Sequence, residues 1–549
     1  YQGRLFAEDA LQGLRMIDQC ENRYDVLVMN PPFGELNRSH KSYIDTNYPG
    51  WAKNILTCFI TRSFNLLRPH GLCGAIFDRT IVVKSSYEAH RREVWASKIS
   101  NFLDTGWGVL DANVETACAC FAKSDQQDAK FLDLRSSEKK QELLMSTIQG
   151  WKEESTDPLN TVVSVDPRSF LTLPNSVIGY DFDKFALNLF SSQNSLENSN
   201  LKARQGHALV SKVHFRVFWE LDSQKFDSTG GHSLLYNGSE FTSFVSPDRD
   251  VVVKGSDAGF LSSHPSVVLR NPGFQFLPGI AYGKRGQILD AHVLEAGRIF
   301  TTEGQSISSN EQIEVNVGLA LLNSRMYQYL LNLYSGQHKY SGYLNLLPKI
   351  SMSDKTLSNL CLYTQKIIKI KSKWMQHDET CISFYKPISL LIKLGMSDAV
   401  PFEMIIEDFK EDRQEFLCIM EKINHEVEAC AELDEGEVRK LKEWANNTIP
   451  YDPIWPGVDK ERYSGLSEQF IAESVISELV GVLFGRWAMT EEGITIPNTF
   501  YPSGFDLKST NDHSNNGLVI EAKNICNNEG LPRSIYEDDG GDSDHFLRS

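Results

Sequence analysis

Tyr24-Asp25-Val26-Leu27-Val28-Met29-Asn30-Pro31-Pro32-Phe33 is a short, almost continuously apolar run that stops at an asparagine, two prolines and an aromatic residue. Such a run fits a parallel strand buried on both faces better than a half-exposed one. The two prolines remove two backbone donors and fix two φ angles, so the strand ends in a stiff turn whose carbonyls can address something other than the sheet. Taken alone, Asn-Pro is an ordinary strand-ending turn. Its surroundings point further.

Downstream, Ile55 to Leu67 has apolar residues at helical spacing and stops at Arg68-Pro69-His70-Gly71, a helix end followed by a Pro/Gly turn. Leu72 to Phe77 reads as the next strand, Tyr87 to Ala96 as a helix, and Ile99 to Leu103 and Thr116 to Ala122 as further strands. The alternation predicts a doubly wound α/β sheet up to about residue 125. In such sheets ligands sit beyond the carboxyl ends of the strands, which is where Asn30 to Phe33 falls. Upstream, the first residue is Tyr1, and Gln2-Gly3-Arg4-Leu5-Phe6 reads as a strand entering mid-fold, which predicts a sheet lacking its beginning.

These features together resemble the gamma-class N6-adenine DNA methyltransferases, whose signature is Asn/Asp-Pro-Pro-Tyr/Phe/Trp and whose methyl donor is S-adenosylmethionine. The resemblance implies a Rossmann-like methyltransferase sheet with Asn30, Pro31, Pro32 and Phe33 as its catalytic turn. An adenine amino nitrogen is a poor nucleophile, because its lone pair is delocalised into the ring. Rigid acceptors for its two N–H groups, the Asn30 side-chain oxygen and the Pro31 carbonyl, would favour the pyramidal form and aim it at the donor. Phe33 would hold the base by stacking, and a base within a duplex must be flipped out to reach it.

Ala7-Glu8-Asp9-Ala10-Leu11 looks like the family's preceding motif, in which an acidic strand-end residue meets the donor's adenine. Asp9 fits that position, with a surface acid in a turn as the alternative. Leu67 to Phe77 and Glu115 to Phe121 are similar to the scaffold after the catalytic loop and to its closing hairpin strand. One departure stands out. The family's glycine-rich donor-binding turn lies upstream of the acidic motif, and only eight residues precede Asp9. The expectation is therefore an N-terminally truncated catalytic domain over residues 1–125.

Residues 126–200 read as a connector, with a Lys/Glu-rich helix around Ser136 to Ile148 and the polar run Ser191 to Asn200. Residues 201–350 alternate short aromatic and β-branched runs with turns: Phe215 to Glu220, Asp250 to Val253, Phe274 to Tyr282 and Arg298 to Phe300. This mostly β segment resembles the target-recognition region of large single-chain methylases, of the type IIG restriction enzymes and of the phage-defence systems called BREX and DISARM. Leu321 to Ser324 with Tyr340 to Pro348 resembles the segment closing such regions. Arg216, Lys284, Arg285, Lys339 and Tyr340 are the candidates for phosphate or base contacts, with solvated surface as the alternative for each. No helix-turn-helix or zinc-finger pattern specifies a target sequence.

Residues 351–445 read as a helical spacer, with Leu357 to Lys373 and Val400 to Trp444 at helical spacing. Glu403, Glu407, Glu411 and Glu415 recur every four residues, as on a solvated face rather than a metal site. Residues 446–549 form a C-terminal region. In it Ile476 to Trp487 resembles a segment of the BREX and DISARM methylases, and the acidic run Glu537 to Asp542 reads as disordered. Asp506, Glu521 and Lys523 have the acid, acid, lysine order of magnesium-dependent nucleases, against the alternative of a surface hairpin with ordinary charges.

Composition bounds these readings. At 549 residues, 41% hydrophobic, the chain is too long for one core and globular in character. No run approaches the ~18 to 20 apolar residues of a membrane span, and a cytoplasmic location is expected. Ten scattered cysteines without a CxxC pair predict reduced thiols and no metal. The net charge of -17 argues against a generally basic nucleic-acid coat. Locally, residues 201–350 hold 14 Lys/Arg against 12 Asp/Glu and residues 351–460 hold 14 against 20, which favours the former as the DNA-facing part.

The function these readings support is site-specific adenine methylation of double-stranded DNA in restriction-modification or phage defence, with other defence-system subunits as partners. A methylase-nuclease fusion and a non-catalytic DNA-binding component are the alternatives.

Overall fold

The computed structural model describes residues 2–32, 40–51, 54–111, 114–152, 162–192, 194–217, 232–238, 241–247, 250–253, 258–309, 311–335, 338–378, 381, 402–455, 466, 468–483, 488–490 and 493–495. The chain forms two compact units: Tyr1–Ser195 with Leu333–Ser335, and Leu196–Asn332 with Gly336–Ser549.

The first unit is built on a six-stranded mixed sheet: β1 (Tyr24–Met29), β2 (Leu67–Asp78), β3 (Ile99–Gly106), β4 (Thr116–Ala122), β5 (Ala129–Asp133) and β6 (Val162–Val165), in the order β1-β2-β4-β3-β5-β6. β1 runs parallel to β2, and β3 runs parallel to β5. β4 is antiparallel to both β2 and β3, as a closing hairpin strand should be, and β6 is antiparallel to β5. Residues 126–200, expected as a connector, thus add two strands to this sheet.

The crossover from β1 to β2 contains helix α3 (Ile55–Leu66), after α1 (Gln2–Glu21) and α2 (Lys41–Asn47). Asn54 caps α3 by accepting the Leu56 N–H at 2.9 Å, and Leu56, Cys58 and Ile60 are buried. The expected turn at Arg68 to Gly71 is a bulge within β2. Tyr24 pairs with Leu67 but Val26 pairs with Leu72, and His70 takes φ 65° to accommodate the extra residues. Gly71 is needed there, because a Cβ would stand 3.0 Å from the Arg68 carbonyl and 3.1 Å from that of Asp25. The helical stretch Ser85 to Lys98 carries π-type bonding at Arg91–Trp95. That stretch delivers Trp95 into the core, edge-on to Phe77 at 5.6 Å and Phe121 at 5.3 Å.

Two expectations fail at the start of the chain. Gln2 to Phe6 is not a strand; it opens α1, whose Leu11, Leu14 and Ile17 recur at helical spacing. β1 is not buried on both faces, since Val26 is 59% and Val28 83% exposed. β1 lies at the end of the described sheet, and no described element covers that face.

The second unit contains two four-stranded sheets. One orders Ile299–Phe300, His232–Tyr236, Asp250–Val253 and Phe215–Val217; the other orders His292–Leu294, Gly279–Gly283, Gly304–Ser308 and Ala203–Arg204. The expected β character of residues 201–350 gives way to helices after residue 308, apart from a short strand at Pro348–Lys349. Gln312–Asn323 and Arg325–Asn332 are helices buried over most of their length. Helices follow at Asp354–Met375, Phe402–Cys430, Glu435–Thr448 and Glu468–Leu483. The stretch Val400 to Trp444, expected to be helical, is interrupted at Glu432, with φ 53°. There a capping box formed by Asp434 and Glu437 restarts it. Glu403, Glu407, Glu411 and Glu415 are all exposed, as a solvated face requires. Asp506, Glu521, Lys523 and the acidic run lie outside the described residues. Among the described residues no helix is long and apolar enough to cross a membrane, no group of three or more His, Cys, Asp and Glu is placed to hold a metal, and no disulfide joins the cysteines.

Candidate active site

Strand directions place the site. Because β1 parallels β2, β4 opposes both β2 and β3, and β3 parallels β5, the carboxyl ends of β1, β2, β3 and β5 lie along one edge of the sheet. Asn30 follows β1 on that edge. Met29 is in register with Ala75, so β2 runs on past it to Asp78. Asn30 and Pro32 are exposed while Pro31 between them is buried. The turn is therefore anchored through a ring that needs no hydrogen-bond partner, with a carboxamide standing in solvent beside it. Phe33 lies outside the described residues.

Asp9 sits within α1 and is exposed. The strand-end geometry on which its assignment to the donor relied is not formed, so no donor contact is carried to Asp9.

A buried polar network runs along the same edge. At the end of β2, Asp78 accepts the Thr80 N–H at 2.8 Å and turns Arg79 inward. Arg79 donates from Nε to both carboxylate oxygens of Asp104 on β3, at 2.7 and 2.9 Å. The Tyr180 hydroxyl donates to Asp104 Oδ2 at 3.0 Å. Arg135, just beyond β5, approaches Asp104 at 3.6 Å and donates to Asp133 and Asp181, each at 2.6 Å. Burial lowers the Arg79 pKa, but the Asp104 carboxylate outweighs it and the net shift is upward. Burial raises Asp133, yet hydrogen bonds and charge from Arg135 bring its carboxyl below the ordinary value. For Asp181 burial wins over Arg135 and the carboxyl is raised.

Arg91 staples two backbone segments at this end. Its guanidinium donates to the carbonyls of Ile81, Val83 and Lys84 after β2, and to those of Asn175 and Ser176. Asn175 and Ser176 both have positive φ, 54° and 49°, a conformation that side chains other than glycine adopt at a cost. Beside Arg91, the buried His90 meets the Trp51 ring edge-on at 4.9 Å. Burial first, and the Arg91 charge second, push the His90 pKa down to about 3, so the imidazole is neutral.

Sequence reasoning missed this network. The signal was present as charged residues at the ends of apolar strands, Asp104 after Phe102-Leu103 and Asp133 after Phe131-Leu132. Their partners are too far away in sequence to be paired by eye.

In the second unit the structure brings together four of the five expected nucleic-acid contacts. Lys284 and Arg285 follow the strand Gly279–Gly283, and both ion-pair with Glu303. The Lys339 N–H donates to the Lys284 carbonyl at 2.6 Å, and the Lys284 ammonium stands 5.7 Å from the Tyr340 ring centroid. Lys339 itself is fully buried, with Nζ 3.4 Å from Asn332 Oδ1, so its side chain is internal rather than a surface cation. Arg216 is half-buried on the other sheet and donates to the Phe215 carbonyl.

Residues 5–106, which contain this catalytic-turn candidate, match the family described as Eco57I restriction-modification methylase. Over 231 residues, 41% of this chain and 49% of the relative, the sequence is 23% identical to the type II methyltransferase M.VspI of Vibrio sp. (strain 343). The chain thus spans about half the length of that relative. Among solved structures, the type IIL restriction-modification enzyme MmeI in complex with DNA aligns over 76% of this chain and 57% of its own, at 12% identity and a TM-score of 0.46. The type IIG restriction endonuclease BpuSI aligns over 74% and 55%, at 11% identity and a TM-score of 0.28. The family match covers residues 5–106, the segment that runs from within α1 through β1 and β2 to the end of β3.

Proposed function

We propose that the protein is a DNA methyltransferase of a restriction-modification or phage-defence system, acting on the N6 amino group of a flipped adenine. The observation that carries the reading is Asn30-Pro31-Pro32 at the carboxyl end of a parallel strand, inside the stretch that matches a restriction-modification methylase family. S-adenosylmethionine, when bound, supplies an electrophilic methyl group on a sulfonium. The chain's own residues do the rest. The Asn30 carboxamide oxygen and the Pro31 carbonyl accept the two amino hydrogens, which localises the nitrogen lone pair and fixes its direction. The anchored Pro31 keeps the acceptors from relaxing as charge develops. Phe33 stacks on the extruded base and recovers part of its unstacking cost. The residues described suit the base side of such a site: an exposed carboxamide on a stiff turn, beside a sheet edge held rigid by buried charge.

The reaction needs no metal. Incubated with duplex DNA and S-adenosylmethionine in excess EDTA, the full-length protein should yield N6-methyladenine by nucleoside mass spectrometry. Methylation confined to cytosine, or none, overturns the assignment. Magnesium-dependent cutting abolished by Glu521→Ala would instead support a methylase-nuclease fusion.

A further inference from the structure

Lys284 and Arg285 share a single acid. Glu303 Oε1 accepts from Lys284 Nζ at 2.8 Å, and Oε2 accepts from Arg285 Nε at 2.7 Å. Burial pushes the Glu303 carboxyl up, but the two cations outweigh it and hold it below the usual carboxylate range, so it stays ionised. The two cations against one anion leave a local excess of positive charge in a chain whose overall charge is -17.

The backbone beneath is fixed. The Lys284 N–H donates to the Glu303 carbonyl at 2.7 Å, the Lys339 N–H donates to the Lys284 carbonyl, and Arg285 forms a β-bridge with His338. On this base the Arg285 side chain is 76% exposed, and the Tyr340 ring, 38% exposed, has the Lys284 ammonium near its face and His338 at 5.8 Å.

We infer that Glu303 is a resident stand-in for a DNA phosphate: it occupies Lys284 and Arg285 in the free protein, and a backbone phosphate of the bound strand displaces it. Tyr340 then offers its ring to the neighbouring sugar or base. DNA as the partner rests on the function proposed above; the displacement rests on this geometry. A carboxylate and a phosphodiester present comparable pairs of oxygens to a guanidinium, so one can replace the other without rebuilding the site. Exchange keeps the affinity for any DNA modest, because seating a phosphate here breaks an internal ion pair, and it allows the protein to leave wrong sequences.

The test is anisotropy of a labelled duplex with the full-length protein across a salt series, comparing wild type, Glu303→Gln, Arg285→Ala and the double variant. Glu303→Gln should bind roughly two- to fivefold tighter, the range set by one part-exposed ion pair. Arg285→Ala should bind more weakly with a salt slope shallower by about one ion, and the double variant should lose most of the gain. Unchanged or weaker binding by a Glu303→Gln protein that unfolds at the wild-type temperature overturns the inference. Should that variant be unstable, Arg285→Ala decides alone, its side chain being exposed: unaltered affinity and slope remove the phosphate seat. A glutamate-rich peptide that responds to these variants while DNA does not assigns the surface to protein and also overturns it. Methyl transfer is followed on the same samples. Transfer that persists while DNA binding ignores both residues sinks this site only, whereas transfer absent from the wild-type protein sinks the function it rests on.

Discussion

The Arg79 guanidinium and the Asp104 carboxylate face each other with 7% and 0% of their side chains exposed, tying the segment after β2 to β3. Asp104 is also the acceptor for Tyr180 and lies within reach of Arg135. Removing it leaves buried positive charge without compensation. Asp104→Ala should therefore cost about 3 to 5 kcal/mol, read as a lowered midpoint of denaturant unfolding followed through the buried Trp95. A shift within error would mean that water or one of the neighbouring acids, Asp133 or Asp181, takes over as the partner of Arg79.

Asn30→Ala should slow methyl transfer by roughly two to three orders of magnitude, the ~3 to 4 kcal/mol typical of losing one aligned polar group, with donor affinity little changed. Single-turnover rates and calorimetric titration of the donor separate the two effects. Phe33→Ala should be milder on chemistry and weaken capture of the extruded base by roughly 1 to 3 kcal/mol, seen with a fluorescent adenine analogue at the target position. Near-normal turnover in Asn30→Ala removes that residue from the chemistry.

Arg91→Lys is not conservative here. A lysine ammonium cannot span the carbonyls of Ile81, Val83, Lys84, Asn175 and Ser176, and the buried acceptors left over each carry a desolvation cost. The loss should reach at least about 2 kcal/mol, measured by thermal unfolding. Hydrogen exchange should rise first around residues 80–84 and 174–178.

The second unit should lose stability on the alkaline side of neutrality. Burial pushes the Asp290 pKa up to about 8, against the N–H that Gly283 donates to it, and burial pushes His292 down to about 3. Unfolded, the two groups titrate near 3.8 and 6.5. A raised pKa contributes stability that is lost as pH rises through the folded value, so Asp290 weakens the fold between its unfolded value and about 8. A depressed pKa contributes stability that is lost as pH falls below 6.5, so His292 acts in the opposite sense on the acid side. The two nearly cancel below 6.5, and above it stability should fall by about 1.4 kcal/mol per pH unit until Asp290 ionises. Urea midpoints measured against pH should show this limb, and Asp290→Asn should flatten it. A limb that survives in the variant belongs to another group.

Much of the first sheet was legible because local patterns there agree with the fold. Tyr24 to Met29, Thr116 to Ala122 and the helix ending at Leu66 stand where periodicity and Pro/Gly punctuation put them. Asn30 could be placed at the carboxyl edge of the strands because strand direction follows from the helix between β1 and β2. What failed depended on neighbours the local sequence cannot name. The apolar run Val26 to Met29 states a preference for burial, not what covers it. Gln2 to Phe6 is too short to distinguish a strand from the first turn and a half of a helix. The Arg79, Asp104 and Tyr180 cluster closes over separations of 25 and 76 residues, which no local spacing reveals. Lys339 looked like a surface cation because lysine usually is one.

The exposure of Leu11, Leu14, Met16 and Ile17 on α1 and of Val26 and Val28 on β1 has a practical meaning. Side chains already in water contribute almost nothing to folding free energy, so exchanging them for polar residues leaves the stability of the chain as described nearly untouched. The same side chains govern colloidal behaviour, since exposed apolar residues are where copies stick together. Solubility and foldedness are separable properties at this end of the molecule, and a preparation that clouds on concentration can be corrected at these six positions without disturbing the sheet edge that bears Asn30.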